Sequence, residues 1–186
     1  MSLRTIDFLA AVVLLFVFLA AIAVHHYLRA RRSSKATWNS LLNRLTFVDR
    51  AAIARIALDV IDESGHPRKD ESSATLESAE IWNLIGGWNG IEALESNCTV
   101  LIDMAFYVQQ WYPEALAVAE QLRLTAREIE WHVERLRSAA KSGKLESSIL
   151  MNAQRVAVAY YLMTRYVLAL HQYRNLPMFA DLQKAL

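Results

Sequence analysis

The segment from Phe8 to Val24, FLAAVVLLFVFLAAIAV, holds seventeen consecutive residues without a charge, a proline or a glycine. As a helix it is about 25 Å long, the short end of what crosses a hydrocarbon core. Extension to Leu28, with Tyr27 at the headgroup level, brings it close to full thickness. This run divides the chain into an apolar amino end and a body of ordinary polarity. The hydrophobic content of 54% and the mean hydropathy of +0.16 are therefore averages over two unlike parts.

Two fates are open to such a segment. Ala21-Ile22-Ala23 has the small-x-small form that a signal peptidase accepts, so export after signal-peptide cleavage is the alternative reading. Against it, the run exceeds a usual signal core, the amino end carries only Arg4 offset by Asp7, and basic residues follow at once. The expectation is a retained single-pass anchor over residues 1–28, then a basic juxtamembrane collar over 29–36.

The collar sets the orientation. Arg29, Arg31, Arg32 and Lys35 follow the run, whereas Arg4 stands alone before it, which places the carboxyl side in the cytoplasm and the amino terminus outside the cell (inner) membrane. The four residues are read as a topology determinant. Their functional alternative is contact with anionic lipid headgroups, about 1 kcal/mol per basic residue.

Without Arg4, Asp7 and the collar, the body keeps 15 basic residues against 18 acidic ones, a formal −3 within a whole-chain charge of +1. A body of that sign does not read as a nucleic-acid binder. Five glycines, three prolines and one cysteine exclude a collagenous or disulfide-framed chain, and the apolar content excludes intrinsic disorder.

Residues 37–186 read as all-α, a cytoplasmic helical bundle of about four to six helices, because apolar spacing is helical almost throughout and no alternating strand pattern is found. A first helical segment runs from Thr37 to Ser64, with a break near Thr46 and Thr46 as a cap. The polar stretch 65–75 is the candidate mobile loop, and a short helix spans Leu76 to Ile85. Ile91, Leu94, Cys98, Leu101, Ala105, Val108 and Tyr112 form one stripe; Ala115, Ala119, Leu122, Ala126, Ile129, Val133, Leu136 and Ala140 form another. Both alternate steps of three and four, the repeat of helices packed side by side. Thr125 with Glu128 has capping-box spacing and suggests a restart there. The last helix, from Ser148 to Tyr173, carries only Arg155 and Arg165 as charges. It is read as the central buried helix in preference to a second membrane span, because Arg165 would sit deep inside a span. The tail after Pro177 is a short amphipathic piece that can dock or fray.

Catalytic and cofactor signatures are not found. The di-metal carboxylate bundle uses Glu-x-x-His on facing helices, but Ile129 and Leu168 stand three residues before His132 and His171. Glu128 and His132, at i and i+4, read as a surface ion pair. His25 and His26 are adjacent and so point about 100° apart on a helix. Gly86-Gly87-Trp88-Asn89-Gly90 lies between helices and reads as a tight turn, not a phosphate cradle. Cys98 sits on an apolar stripe as a small space-filler. Among the five tryptophans, Trp38 is placed at the membrane surface if not in the core. Trp88 is the candidate partner contact if its turn exposes it.

The chain is thus expected to be no enzyme, with no cofactor and no metal. It is expected to be a membrane-anchored helical bundle that acts as a protein-interaction module or as an accessory or structural subunit of a membrane assembly. Its expected partners are membrane lipid around the anchor and another protein or a second copy of itself. Two alternatives stand beside this: an enzyme or cofactor carrier with a site between helices around His132 and His171, and a sensor or effector that oligomerises through its span.

Overall fold

A computed structural model describes residues 12–18, 20, 21, 24, 37–68, 75–109, 111–173, 182, 183, 185 and 186. Backbone contacts group the chain into two units, Met1–Ala36 and Thr37–Leu186. In the first unit the described residues are all helical and uncharged. Val13, Leu14, Leu15, Phe16, Val17 and Phe18 each expose more than half of their surface. Among the described residues no helix is long and apolar enough to cross a membrane. The remainder of the 8–28 run and all of Arg29, Arg31, Arg32 and Lys35 lie outside the described residues.

The second unit is all-α. Its helices are α1 (Trp38–Leu42), α2 (Arg50–Val60), α3 (Ser78–Ile85), α4 (Gly87–Gln109), α5 (Ala115–Lys141), α6 (Leu145–Ser148) and α7 (Gln154–Tyr173), with a π-helical turn, Ile149–Ala153, joining α6 to α7. Among the described residues the sole β-type pairing is an isolated bridge between Ile61 and Pro67. Helices α4, α5 and α7 pack on one another, α2 lies on α7, and α3 is held against the π turn, α2 and α4.

The two apolar stripes account for this arrangement. Ile91, Leu94, Cys98, Leu101, Ala105 and Val108 are all buried on α4, and Ala115, Ala119, Leu122, Ala126, Ile129, Val133 and Leu136 on α5. Alanines on the α5 stripe let the helix axes approach closely. The central helix is α4, where twelve of 23 residues are buried. Helix α7 does not fill that place: among its described side chains, residues 154–172, seven are buried, and Arg155, Arg165, Tyr166 and Gln172 face solvent. A low count of charges does not make a helix central; α4 is buried because α1, α3, α5 and α7 all lie against it.

Three local expectations are corrected. Helix α2 is capped by Asp49, whose Oδ1 accepts from the Ala51 and Ala52 N–H groups at 3.0 and 3.1 Å, not by Thr46. Helix α5 runs unbroken through Thr125, whose hydroxyl donates to the Gln121 carbonyl at 3.1 Å and so caps nothing. Trp38 is buried, its ring 5.0 Å from that of His171 and 5.8 Å from that of Tyr107, so it is a core residue.

The glycine turn is shorter than expected: only Gly86 lies between the helices, and Gly87–Gly90 already form the first turn of α4. Gly86 ends α3 in the left-handed region (φ 89°), and Gly90 packs so closely that a Cβ there would lie 1.7 Å from the Ile85 carbonyl oxygen. Asp59 on α2 receives the Thr75 N–H and hydroxyl, both at 2.9 Å, and so holds the far end of the 65–75 segment, of which residues 69–74 lie outside the described residues. At the carboxyl end Leu182 and Leu186 are buried, and Arg50 donates to the Gln183 carbonyl at 2.5 Å, so this piece docks.

Candidate functional site

Helix α5 has a second stripe that packing does not explain. Leu124 lies two residues after the buried Leu122 and two before the buried Ala126; Trp131 stands in the same relation to Ile129 and Val133. Two residues are about 200° on a helix, so both point directly away from the core. Leu116, Leu124 and Trp131 are 43%, 56% and 54% exposed. Single exposed apolar residues are ordinary, but these three recur on the outward side of one long helix. Arg135 covers the Trp131 ring with its guanidinium 4.6 Å from the ring centroid. Tryptophan and arginine are the residue types that most often anchor interfaces.

The carboxyl end of this stripe adjoins the π turn. The Gln154 N–H donates to the Ile149 carbonyl across five residues, so the turn holds one residue more than an α-helical turn. Asn152 is thereby turned inward onto His132. Its Nδ2 donates to the Ser148 hydroxyl at 2.9 Å and the Ser148 carbonyl at 3.2 Å, which leaves Oδ1 to accept from His132 Nδ1 at 2.9 Å. On the other side of the ring, His132 Nε2 lies 4.0 Å from the Glu128 carboxylate. Leu150 and Met151 are turned outward, 45% and 67% exposed. A cleft of about 400 Å³ between Met151 and Arg135, floored by Ser138, Ser148 and Asn152, joins the π turn to the end of the α5 stripe.

The residues named from sequence are not brought together. His171 is buried at the far end of α7. Its Nδ1 donates to the Val167 carbonyl at 2.8 Å, and its Nε2 finds no hydrogen-bond partner among the described residues. Burial holds its pKa below the ordinary value of 6.5, although the Val167 carbonyl favours the charged form. Asn152, which holds His132, is nineteen residues from His171, roughly 28 Å along the helix axis, so the two histidines do not share one pocket. No cluster of three metal-ligating side chains occurs among the described residues. Cys98 is buried, its thiol donates to the Leu94 carbonyl, and burial pushes its pKa up to about 12. That is an inert thiol.

Trp88 is half-buried in the first turn of α4, packed edge-on against Trp82 with ring centroids 5.3 Å apart. It braces the α3–α4 turn. The more exposed indole is Trp131, and the sequence did carry its signal, since a tryptophan two residues from each of two stripe positions must face outward. A larger cleft of about 450 Å³ lies between α2 and α7, lined by Arg50, Ile53, Tyr161, Arg165 and Leu186. The docked carboxyl end forms one of its walls. No protein family, curated protein or solved structure matches this chain.

Proposed function

We propose that this chain is a single-pass membrane-anchored helical bundle whose body serves as a protein-interaction module or subunit of a membrane assembly. The observation that carries the reading is the outward apolar stripe of α5, Leu116, Leu124 and Trp131, which continues toward the exposed Leu150 and Met151 of the π turn. The anchor rests on the uncharged 8–24 run, described in part as helical with its large side chains exposed, and on the basic residues that follow it. The bundle then lies on the cytoplasmic side, with Arg29, Arg31, Arg32 and Lys35 fixing the orientation.

Membrane fractionation of the full chain tests the anchor: retention through alkaline extraction and release by detergent are expected, and release by alkali overturns it. Crosslinking in membranes followed by detergent extraction tests the module. A discrete crosslinked complex that weakens in Trp131→Ala is expected. A monomer with no crosslinked species overturns the reading.

A further inference from the structure

The outward face of α5 is self-complementary. From Leu116 to Trp131 it presents Leu116, Glu120, Leu124, Arg127 and Trp131 in order, with Arg123 beside Leu124. Leu124, Arg127 and the two ends are exposed, and Glu120 and Arg123 are half-buried, joined at 2.9 Å within the helix. About a two-fold axis passing between Arg123 and Leu124, each position meets one equally far on the other side. Leu116 then meets the partner's Trp131, and Glu120 meets the partner's Arg127. Each contact occurs twice, as an isologous interface requires. A parallel pairing would set Glu120 against Glu120 and Arg127 against Arg127, so charge selects the antiparallel arrangement.

From this we infer that the occupant of the α5 face is a second copy of this chain, with two α5 helices packed antiparallel about that axis. The inference rests on the proposed interaction role and deepens it by naming the partner. Leu116 and Trp131 pair at each end, where Arg135 holds the indole in place from its own chain. The face offers about six residues a side, against the roughly 20–30 of a stable interface, so the contact is weak between copies in dilute solution. Anchoring both copies in one membrane raises their effective concentration and makes it sufficient.

The test uses the full chain in membranes, with single cysteines placed in a Cys98→Ser background and a short bis-maleimide crosslinker. Leu116→Cys co-expressed with Trp131→Cys is expected to give a crosslinked dimer between the two variants, and Leu124→Cys a dimer with itself. Glu120→Arg or Arg127→Glu alone is expected to weaken the dimer about three- to tenfold, through two like-charge contacts, and the double variant Glu120→Arg/Arg127→Glu to restore it. Leu116→Cys and Trp131→Cys each crosslinking only with themselves would overturn the antiparallel register. The inference also fails if no position crosslinks between copies. If a complex with a different protein, weakened by Trp131→Ala, persists in that case, the interaction role survives and only the second copy is excluded. The loss of every complex removes both.

Discussion

Asn97 on α4 pairs with the backbone of Thr46 as a neighbouring strand would: its Oδ1 accepts from the Thr46 N–H and its Nδ2 donates to the Thr46 carbonyl, both at 2.8 Å. The same Nδ2 donates to the Tyr160 hydroxyl of α7 at 3.1 Å. One buried side chain thus ties the 43–49 connection to two helices. Asn97→Leu leaves both Thr46 groups and the tyrosine hydroxyl without this partner, and is expected to cost about 2–4 kcal/mol. Urea unfolding followed by circular dichroism measures it; amide exchange at Thr46 should quicken in step.

Gly86 between α3 and α4 and Gly90 in the first turn of α4 should fail differently. At Gly90 an added Cβ meets the Ile85 carbonyl oxygen at 1.7 Å, a clash with backbone that no rotamer relieves. At Gly86 an added Cβ meets only the Gly90 backbone, at an ordinary 3.9 Å, but φ is positive at 89°. Gly90→Ala is therefore expected to cost more than about 4 kcal/mol or prevent folding, and Gly86→Ala only about 1 kcal/mol. Thermal melts of the two variants decide this; equal effects would contradict the close approach at Gly90.

Stability should depend on pH through His171. Burial keeps the folded-state pKa below the ordinary 6.5, so the unfolded chain takes up a proton first as pH falls. The unfolded state then binds more protons, and stability rises with pH across that window. The contribution is complete above about pH 6.5 and is lost as pH drops from there toward the folded value. Unfolding free energies of the wild type and His171→Phe, measured from pH 8 down to pH 5, should converge as pH falls. A constant difference would count against a buried neutral histidine.

Cys98 supplies an opposite alkaline dependence and a reporter of unfolding. Its folded pKa of about 12 lies above the ordinary 9.0, with burial the leading cause and Glu95 and Glu130 adding to it. The corresponding stability is fully present below about pH 9 and is lost as pH rises toward 12. At neutral pH a thiol reagent should label the folded protein only as fast as it opens. The labelling rate should therefore rise with urea in parallel with loss of helix.

The sequence-level reading succeeds where one helix's own periodicity is enough and fails where a distant partner decides. The stripes of α4 and α5 and the helical class follow from local spacing, because residues three and four apart share a face whatever surrounds them. The cap at Asp49 was missed because Thr46, three residues earlier, is an equally good capping type; its backbone is taken instead by Asn97, fifty-one residues away. The apparent capping box at Thr125 and Glu128 yields to the apolar stripe, which continues through it with Ala126 and Ile129 buried. His132 and His171 both stand on long body helices, which says nothing of their distance; tertiary packing places them far apart. The outward Leu124 and Trp131 were legible in principle, being the complement of the buried stripe.

The π turn at Ile149–Ala153 sets the angular phase of everything that follows it. One extra residue shifts the residues of α7 by about 100° relative to α6, compared with an uninterrupted α-helix. Asn152 is brought to His132 and Met151 to solvent within the same five residues. Deleting a single residue from this turn would let the helix close into regular α form. The length of the chain here, more than the identity of its side chains, thus decides which residues the bundle hides and which it shows.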